Sequence, residues 1–303
     1  MPTSRLPHWV LTILSLLLTL SSQAQEQWFP LAVEIWDPPF NDELNRTEAQ
    51  YQALDSASGD WNICVSIPHL KDPYWLAVNY GLIDEARRLG VAVSVYEAGG
   101  YEQLPIQREQ ISRCLEDDYD ALIVSAVTRN GLDDLLARAR ADNIPVVDMI
   151  NGVNPENISA RVAAEYWDNA DNVARYLVRT HPADAPPGRI AWFPGPSTAN
   201  WVDSGNAGFL NGLEGGNLEV VTTRYGDTGR SIQGQLVEAV LDEGIDIDYI
   251  VGTAVTAEAA ISVLRSRGLT ERIDVISYYY SPGVHRAIRR GFVKAASTDQ
   301  QTL

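Results

Sequence analysis

From Cys64 onward, short apolar runs alternate with longer stretches whose apolar residues recur every three or four positions. Ile63 to Ile67 predicts a buried strand, and Tyr74 to Leu89 a helix closed by Gly90. Strands over Ala92–Tyr96, Ala121–Ser125 and Val146–Met149 follow, separated by helices over Leu104–Leu115 and Leu132–Ala141. The rhythm then restarts. Helices are expected at Asn169–Thr180, Trp201–Leu213, Ile232–Leu241, Ala257–Arg267 and Val284–Arg290. Strands are expected at Ile190–Phe193, Val220–Arg224, Tyr249–Val251, Val275–Ser277 and Val293–Ser297. Strand–helix alternation of this kind builds parallel sheets. Two successive blocks joined near Asn151 to Ala164 predict an α/β protein with two Rossmann-like lobes and a cleft between them. Ligands of such sheets bind beyond the carboxyl ends of the strands.

Residues 61–160 are assigned to the first lobe and 161–297 to the second, with 298–303 returning towards the first. Crossovers are expected near Ala160–Ala164 and Ser297–Gln300. No helical pattern follows Val293–Ser297 to close the first lobe, so apolar sheet surface is expected to stay in water, at about 25 cal/mol per Å². Residues 25–60 show neither period but carry Trp28, Phe29, Trp36, Pro38, Pro39 and Phe40. That aromatic content reads as an extended strap packed on a lobe rather than a disordered tail.

The chain opens like a secretory signal: Arg5, an apolar run from Val10 to Leu20, then Ser22-Gln23-Ala24 as a cleavage site. The run is about half the ~20 residues of a membrane span. Cleavage near Ala24 would export the chain to the periplasm and remove Arg5, moving the net charge from −17 to −18. So acidic a chain is unsuited to nucleic acid, whose binding rests on neutralising phosphates. In an oxidising compartment Cys64 and Cys114 are compatible with a disulfide or with two separately buried thiols.

The expected strand-end loops are rich in aromatics: Pro68-His69-Leu70-Lys71-Asp72-Pro73-Tyr74-Trp75, Glu97-Ala98-Gly99-Gly100-Tyr101, Tyr166-Trp167 and Tyr278-Tyr279-Tyr280. Convergent Tyr and Trp faces suit a ligand with a quaternary, methylated nitrogen, because ring quadrupoles attract the cation while the methyls bury apolar area. Plainer roles exist for each residue. Asp72 followed by Pro73 is a good helix cap, Tyr74 and Trp75 suit a core, and three successive tyrosines cannot all face one site. Enzyme signatures are weak. His69, His181 and His285 stand alone, and Gly195-Pro196-Ser197-Thr198-Ala199 misses the nucleophile elbow at its last position. No phosphate or dinucleotide fingerprint appears, so no catalysis, metal or cofactor is expected.

Ile63 to Trp75, Asn79-Tyr80-Gly81 and Glu97 to Tyr101 together resemble the TorT family. The likeness runs on through Pro194-Gly195-Pro196, Gly252-Thr253-Ala254, Ala257-Glu258-Ala259-Ala260 and Ala295-Ala296-Ser297. The resemblance implies a type I periplasmic-binding-protein fold and a sensor of trimethylamine N-oxide (TMAO). It further implies docking on the periplasmic domain of a membrane sensor histidine kinase. Carried over, the ligand residues are Asp72, Tyr74, Trp75, Tyr101 and Tyr279. The family's crossover tryptophan falls at Tyr166 or, one residue on, at Trp167. The competing expectation is a transport protein that delivers a small sugar or osmolyte to an ABC permease.

Overall fold

The computed structural model describes residues 29–36 and 46–298. The signal at 1–24, the strap residues Trp28, Pro38, Pro39 and Phe40, and the return segment after Thr298 lie outside the described residues. Two strands are described within the strap. Leu31–Trp36 (β1) pairs antiparallel with Arg46–Tyr51 (β2), Leu31 opposite Tyr51 and Trp36 opposite Arg46. The start of β1 does alternate, with Leu31 and Val33 half-buried and Ala32 and Glu34 exposed. An ion pair from Arg46 to Glu34 (2.9 Å) and the edge contact of Phe29 with Tyr51 (5.9 Å) complete this unit.

Residues from Ala57 onward form a separate compact unit built on two sheets. The first contains β3 (Asn62–Ile67), β4 (Ala92–Glu97), β5 (Ala121–Val124), β6 (Val146–Met149) and β7 (Ala160–Val162). Its order is β4-β3-β5-β6-β7, and every neighbouring pair is parallel. Helices α1 (Pro73–Leu89), α2 (Leu104–Glu116) and α3 (Asp133–Ala141) supply the crossovers. The second sheet contains β8 (Gly188–Gly195), β9 (Leu218–Tyr225), β10 (Tyr249–Gly252), β11 (Asp274–Ser277) and β12 (Ala295–Ala296). It repeats the same winding, in the order β12-β11-β10-β8-β9, again all parallel. Its helices are α4 (Tyr166–Thr180), α5 (Asn200–Gly212), α6 (Arg230–Asp242), α7 (Ala254–Arg267) and α8 (Pro282–Arg289). In each sheet the strand order reverses beside the first strand, β3 or β8, and a crevice opens at such a switch point.

Three boundaries depart from the sequence pattern. β7 occupies part of the segment expected to join the lobes, and its three residues pair only with β6 at the sheet edge. Helix α4 starts at Tyr166, three residues before the expected Asn169, because its first turn also packs inward. β12 spans two residues rather than Val293–Ser297, since only Ala295 and Ala296 align with β11. The chain passes from β7 to α4 through Ala163–Glu165, and Ser297 after β12 donates to the Asn169 side chain in α4 at 2.8 Å.

Helix α1 shows how local chemistry sets the frame. Asp72 caps it in extended conformation, Pro73 opens it, and Gly90 ends it at φ 70° with its N–H on the Ala86 and Arg87 carbonyls. Cys64 of β3 and Cys114 of α2 form a disulfide, with Cα atoms 6.1 Å apart. It lies in a core layer with Ile111, Leu122, Val124, Leu132 and Leu136.

Candidate functional site

The loops after β3, β4, β9 and β11 and the first turns of α1, α4 and α5 converge on one cavity. Its walls are Asp72, Tyr74, Trp75, Tyr101, Tyr166, Trp201, Thr228 and Tyr279. Tyr74 and Trp75 leave the first turn of α1, where the Asp72 cap holds the Trp75 N–H at 3.0 Å. Their rings meet edge-on, 5.6 Å apart at 69°, and Tyr74 meets Tyr279 at 5.6 Å and 75°. Tyr166 packs on Trp201 at 5.0 Å and stands at 88° to Tyr279. Aromatic pairs favour such edge-to-face contacts.

Tyr101 is held from both lobes. Gly99 (φ 93°) and Gly100 (φ 151°) bend the chain ahead of it, a conformation that a Cβ would oppose. Its hydroxyl accepts from the Trp201 indole N–H (3.2 Å) and from the Asn151 amide (3.2 Å). Asn151 is aimed by Ile150, whose left-handed backbone (φ 71°) costs a β-branched residue about 1–3 kcal/mol, and it also donates to the Ala126 carbonyl. Burial pushes the Tyr101 and Tyr279 hydroxyls well above the ordinary tyrosine range, so both stay protonated donors.

Asp72 is the one ionisable carboxyl on the wall and is almost fully buried. One oxygen serves the helix cap, and the other lies 3.9 Å from His69 Nε2. Burial raises its pKa, offset in part by His69 and by hydrogen bonds from the Trp75 N–H and the Thr228 hydroxyl. Among the described residues, no lysine or arginine lines the cavity.

Of the residues expected from sequence, Asp72, Tyr74, Trp75, Tyr101, Tyr166 and Tyr279 are brought to the cavity. Trp167 is not among its lining residues. Successive helical residues point about 100° apart, and the Trp167 backbone lies against Gly208 of α5, where a Cβ would come within 2.1 Å of its carbonyl oxygen. Tyr278 is buried in the core with its hydroxyl on the Pro194 carbonyl, and Tyr280 meets His285. Trp201 and Thr228 were not anticipated. Trp201 repeats the signal of Tyr74 and Tyr166, an aromatic in the first turn after a strand-end loop. Gly195 makes room for it, since a Cβ there would lie 2.6 Å from its ring. His69, taken from sequence as isolated, contacts the Thr228 hydroxyl at 2.9 Å and faces Asp227 at 3.5 Å.

Two parallel sheets with repeated winding and a lined cavity between them define a periplasmic binding protein, and the periplasmic binding protein domain family matches residues 63–302. The periplasmic protein TorT of Escherichia coli O157:H7 is 34% identical over 240 residues, covering 79% of this chain and 68% of TorT. The chain belongs to the TorT family of periplasmic binding proteins. An ABC transporter solute binding protein from Bradyrhizobium sp. BTAi1, solved with bound bis-tris, superposes with TM-score 0.73 at 39% identity, covering 89% of this chain and 81% of that one. The TorS sensor domain–TorT complex without ligand gives TM-score 0.71 at 34% identity, covering 80% and 83%. The same complex in the presence of TMAO gives 0.70 at 34%, covering 80% and 82%.

Proposed function

We propose that this protein binds TMAO, or a closely related methylated amine, in the aromatic cavity and signals its presence to the periplasmic domain of a membrane sensor histidine kinase. The observation that carries this reading is a cavity walled, among the described residues, by six Tyr and Trp side chains with a single carboxyl and no basic group. Ring faces attract a methylated cationic nitrogen, at about 0.5–2 kcal/mol each when desolvated. An amine oxide also carries a basic oxygen. Asp72, with its pKa raised by burial, can share a proton with that oxygen instead of repelling it. The kinase partner rests on the TorS–TorT complexes of the relatives. Export is part of the proposal: cleavage after Ala24 yields a mature chain beginning at Gln25, which mass spectrometry of periplasmic extract would detect.

A second reading, delivery of a small solute to an ABC permease, is favoured by the 39% identity to the Bradyrhizobium solute binding protein. A sugar would present several hydroxyls, each needing a buried partner. The wall's polar groups are few, and the Tyr101 hydroxyl is already engaged by Trp201 and Asn151. Calorimetric titration with TMAO, trimethylamine, glycine betaine and ribose separates the readings. Binding of TMAO that is lost in Trp75→Ala and Tyr101→Ala supports the sensor site. Binding of ribose alone, or TMAO affinity unchanged in both variants, overturns it. Co-purification with a kinase periplasmic domain tests the partner, and failure with and without TMAO favours transport.

A further inference from the structure

Within the first lobe, a chain of hydrogen bonds starts at a glutamine outside the cavity and ends on the Tyr101 hydroxyl. Gln107 of α2 is completely buried, which is uncommon for its residue type. Its Nε2 donates to the Ser125 carbonyl (2.9 Å) and to the Ser66 hydroxyl (3.2 Å), and its Oε1 accepts from the Val127 N–H (2.9 Å). That N–H and the Ala126 carbonyl belong to one planar trans peptide, so holding the first aims the second the opposite way. The Ala126 carbonyl accepts from Asn151 Nδ2 at 2.8 Å. A carbonyl oxygen accepts only, so this contact fixes which end of the Asn151 carboxamide is the donor. The same Nδ2 donates to the Tyr101 hydroxyl at 3.2 Å, and the Trp201 indole N–H takes the other lone pair at 3.2 Å. A hydroxyl has two lone pairs and one proton. The proton of Tyr101 is left with a longer contact, 3.4 Å to Asn151 Oδ1, until a ligand offers a better acceptor.

We infer that Gln107 and Asn151 are positioning residues that set the direction of the Tyr101 hydroxyl proton, and with it the selectivity of the cavity for a methylated nitrogen that bears an oxygen over a bare quaternary cation. Neither residue is among those lining the cavity, so both act through Tyr101. Ring faces attract the methylated nitrogen of either molecule. A buried donor aimed at the ligand is satisfied by an oxygen and left unpaired by a cation without one, and an unpaired buried donor is costly. The inference deepens the proposed ligand site and rests on it for its binding readout.

The test compares TMAO with tetramethylammonium on the full mature protein by calorimetric titration. Gln107→Met keeps the length of the side chain and removes both ends of its carboxamide. Asn151→Asp offers the Tyr101 hydroxyl an acceptor in place of a donor and draws the proton out of the cavity. Each should weaken TMAO binding by about tenfold, as Tyr101→Phe does, while tetramethylammonium affinity stays at the wild-type level. In a Tyr101→Phe background neither change should weaken TMAO further, because residues acting through one hydroxyl are not additive. A nuclear magnetic resonance readout needs no ligand: the Asn151 side-chain amide signal, identified by its absence in Asn151→Asp, should shift in Gln107→Met and in Tyr101→Phe. Wild type that binds neither probe, with that signal still moving in both variants, would remove the ligand reading and leave the relay standing. Equal losses for TMAO and tetramethylammonium in Gln107→Met and Asn151→Asp would make both residues merely structural and overturn the inference. Wild-type preference for TMAO in both variants, or an amide signal unmoved by Gln107→Met and Tyr101→Phe, would overturn it as well.

Discussion

Replacing Asp72 with Asn separates the two duties of one buried carboxyl. As a cap, Asp72 takes the Trp75 N–H at 3.0 Å. Asn caps about as well as Asp, whereas Ala would cost about 1 kcal/mol, so helix α1 should survive Asp72→Asn intact. As a titrating group, Asp72 has its pKa raised by burial. A carboxyl whose folded pKa exceeds its unfolded one stabilises fully below the unfolded value, and loses that contribution as pH rises through the folded value. Asp72→Asn removes this loss. The variant should therefore equal wild type in acid and become the more stable of the two as pH rises above the ordinary carboxylate range. Binding should move the other way. A hydrogen bond that shares a proton with the amine oxide belongs with charge-assisted bonds worth about 1.5–3 kcal/mol, so its loss should weaken TMAO binding by about 10- to 150-fold. Wild-type affinity should decline as pH rises past the raised Asp72 pKa, and the variant's profile should be flat over that interval. Urea denaturation and calorimetric titration between pH ~4.5 and ~8 measure both effects. Wild-type affinity and an unaltered pH profile in Asp72→Asn would reduce Asp72 to a helix cap and refute the proton-sharing argument.

Trp75→Ala and Trp201→Ala should each weaken TMAO binding at least tenfold by titration, since a desolvated ring face contributes up to about 2 kcal/mol; normal affinity in both would remove the cage. Reducing the Cys64–Cys114 disulfide, which closes a 50-residue separation, should lower stability to denaturant by up to about 4 kcal/mol. A shift under ~1 kcal/mol would mean that the reduced chain is already constrained without the bond. Gly208→Ala should destabilise by about 1–3 kcal/mol, because its Cβ would strike the Trp167 carbonyl and force α5 away from α4. An unchanged melting temperature would contradict that packing.

Much of the architecture is legible in local pattern. Strand and helix periods depend on which face of a short segment is buried, so the alternation from Ile63 to Ser277 is visible without contacts. The same holds for the Asp72-Pro73 start and the Gly90 stop of α1, where cap and left-handed geometry are local chemistry. The placing of Trp75, Tyr101 and Tyr279 at strand ends follows from the parallel winding, which puts every such loop on one side of its sheet. The β1–β2 hairpin was harder to see, because its alternation is brief and much of it is exposed.

Other features exist only once distant segments meet. Whether Tyr166 or Trp167 reaches the cavity depends on the rotation of α4, which is set by its close packing on α5 at Gly208. Cys64 and Cys114 bond because α2 lies across β3 at a Cα distance of 6.1 Å, which their spacing in the chain does not specify. Trp201 belongs to the other lobe from Tyr101, yet its indole lies on the Tyr101 hydroxyl. His69 meets Thr228 across 159 residues of chain, and Lys71 meets Asp227 across 156. Periodicity reports burial along one element, whereas a site between lobes depends on how two cores are oriented, and that orientation comes from long-range contacts with no local signature.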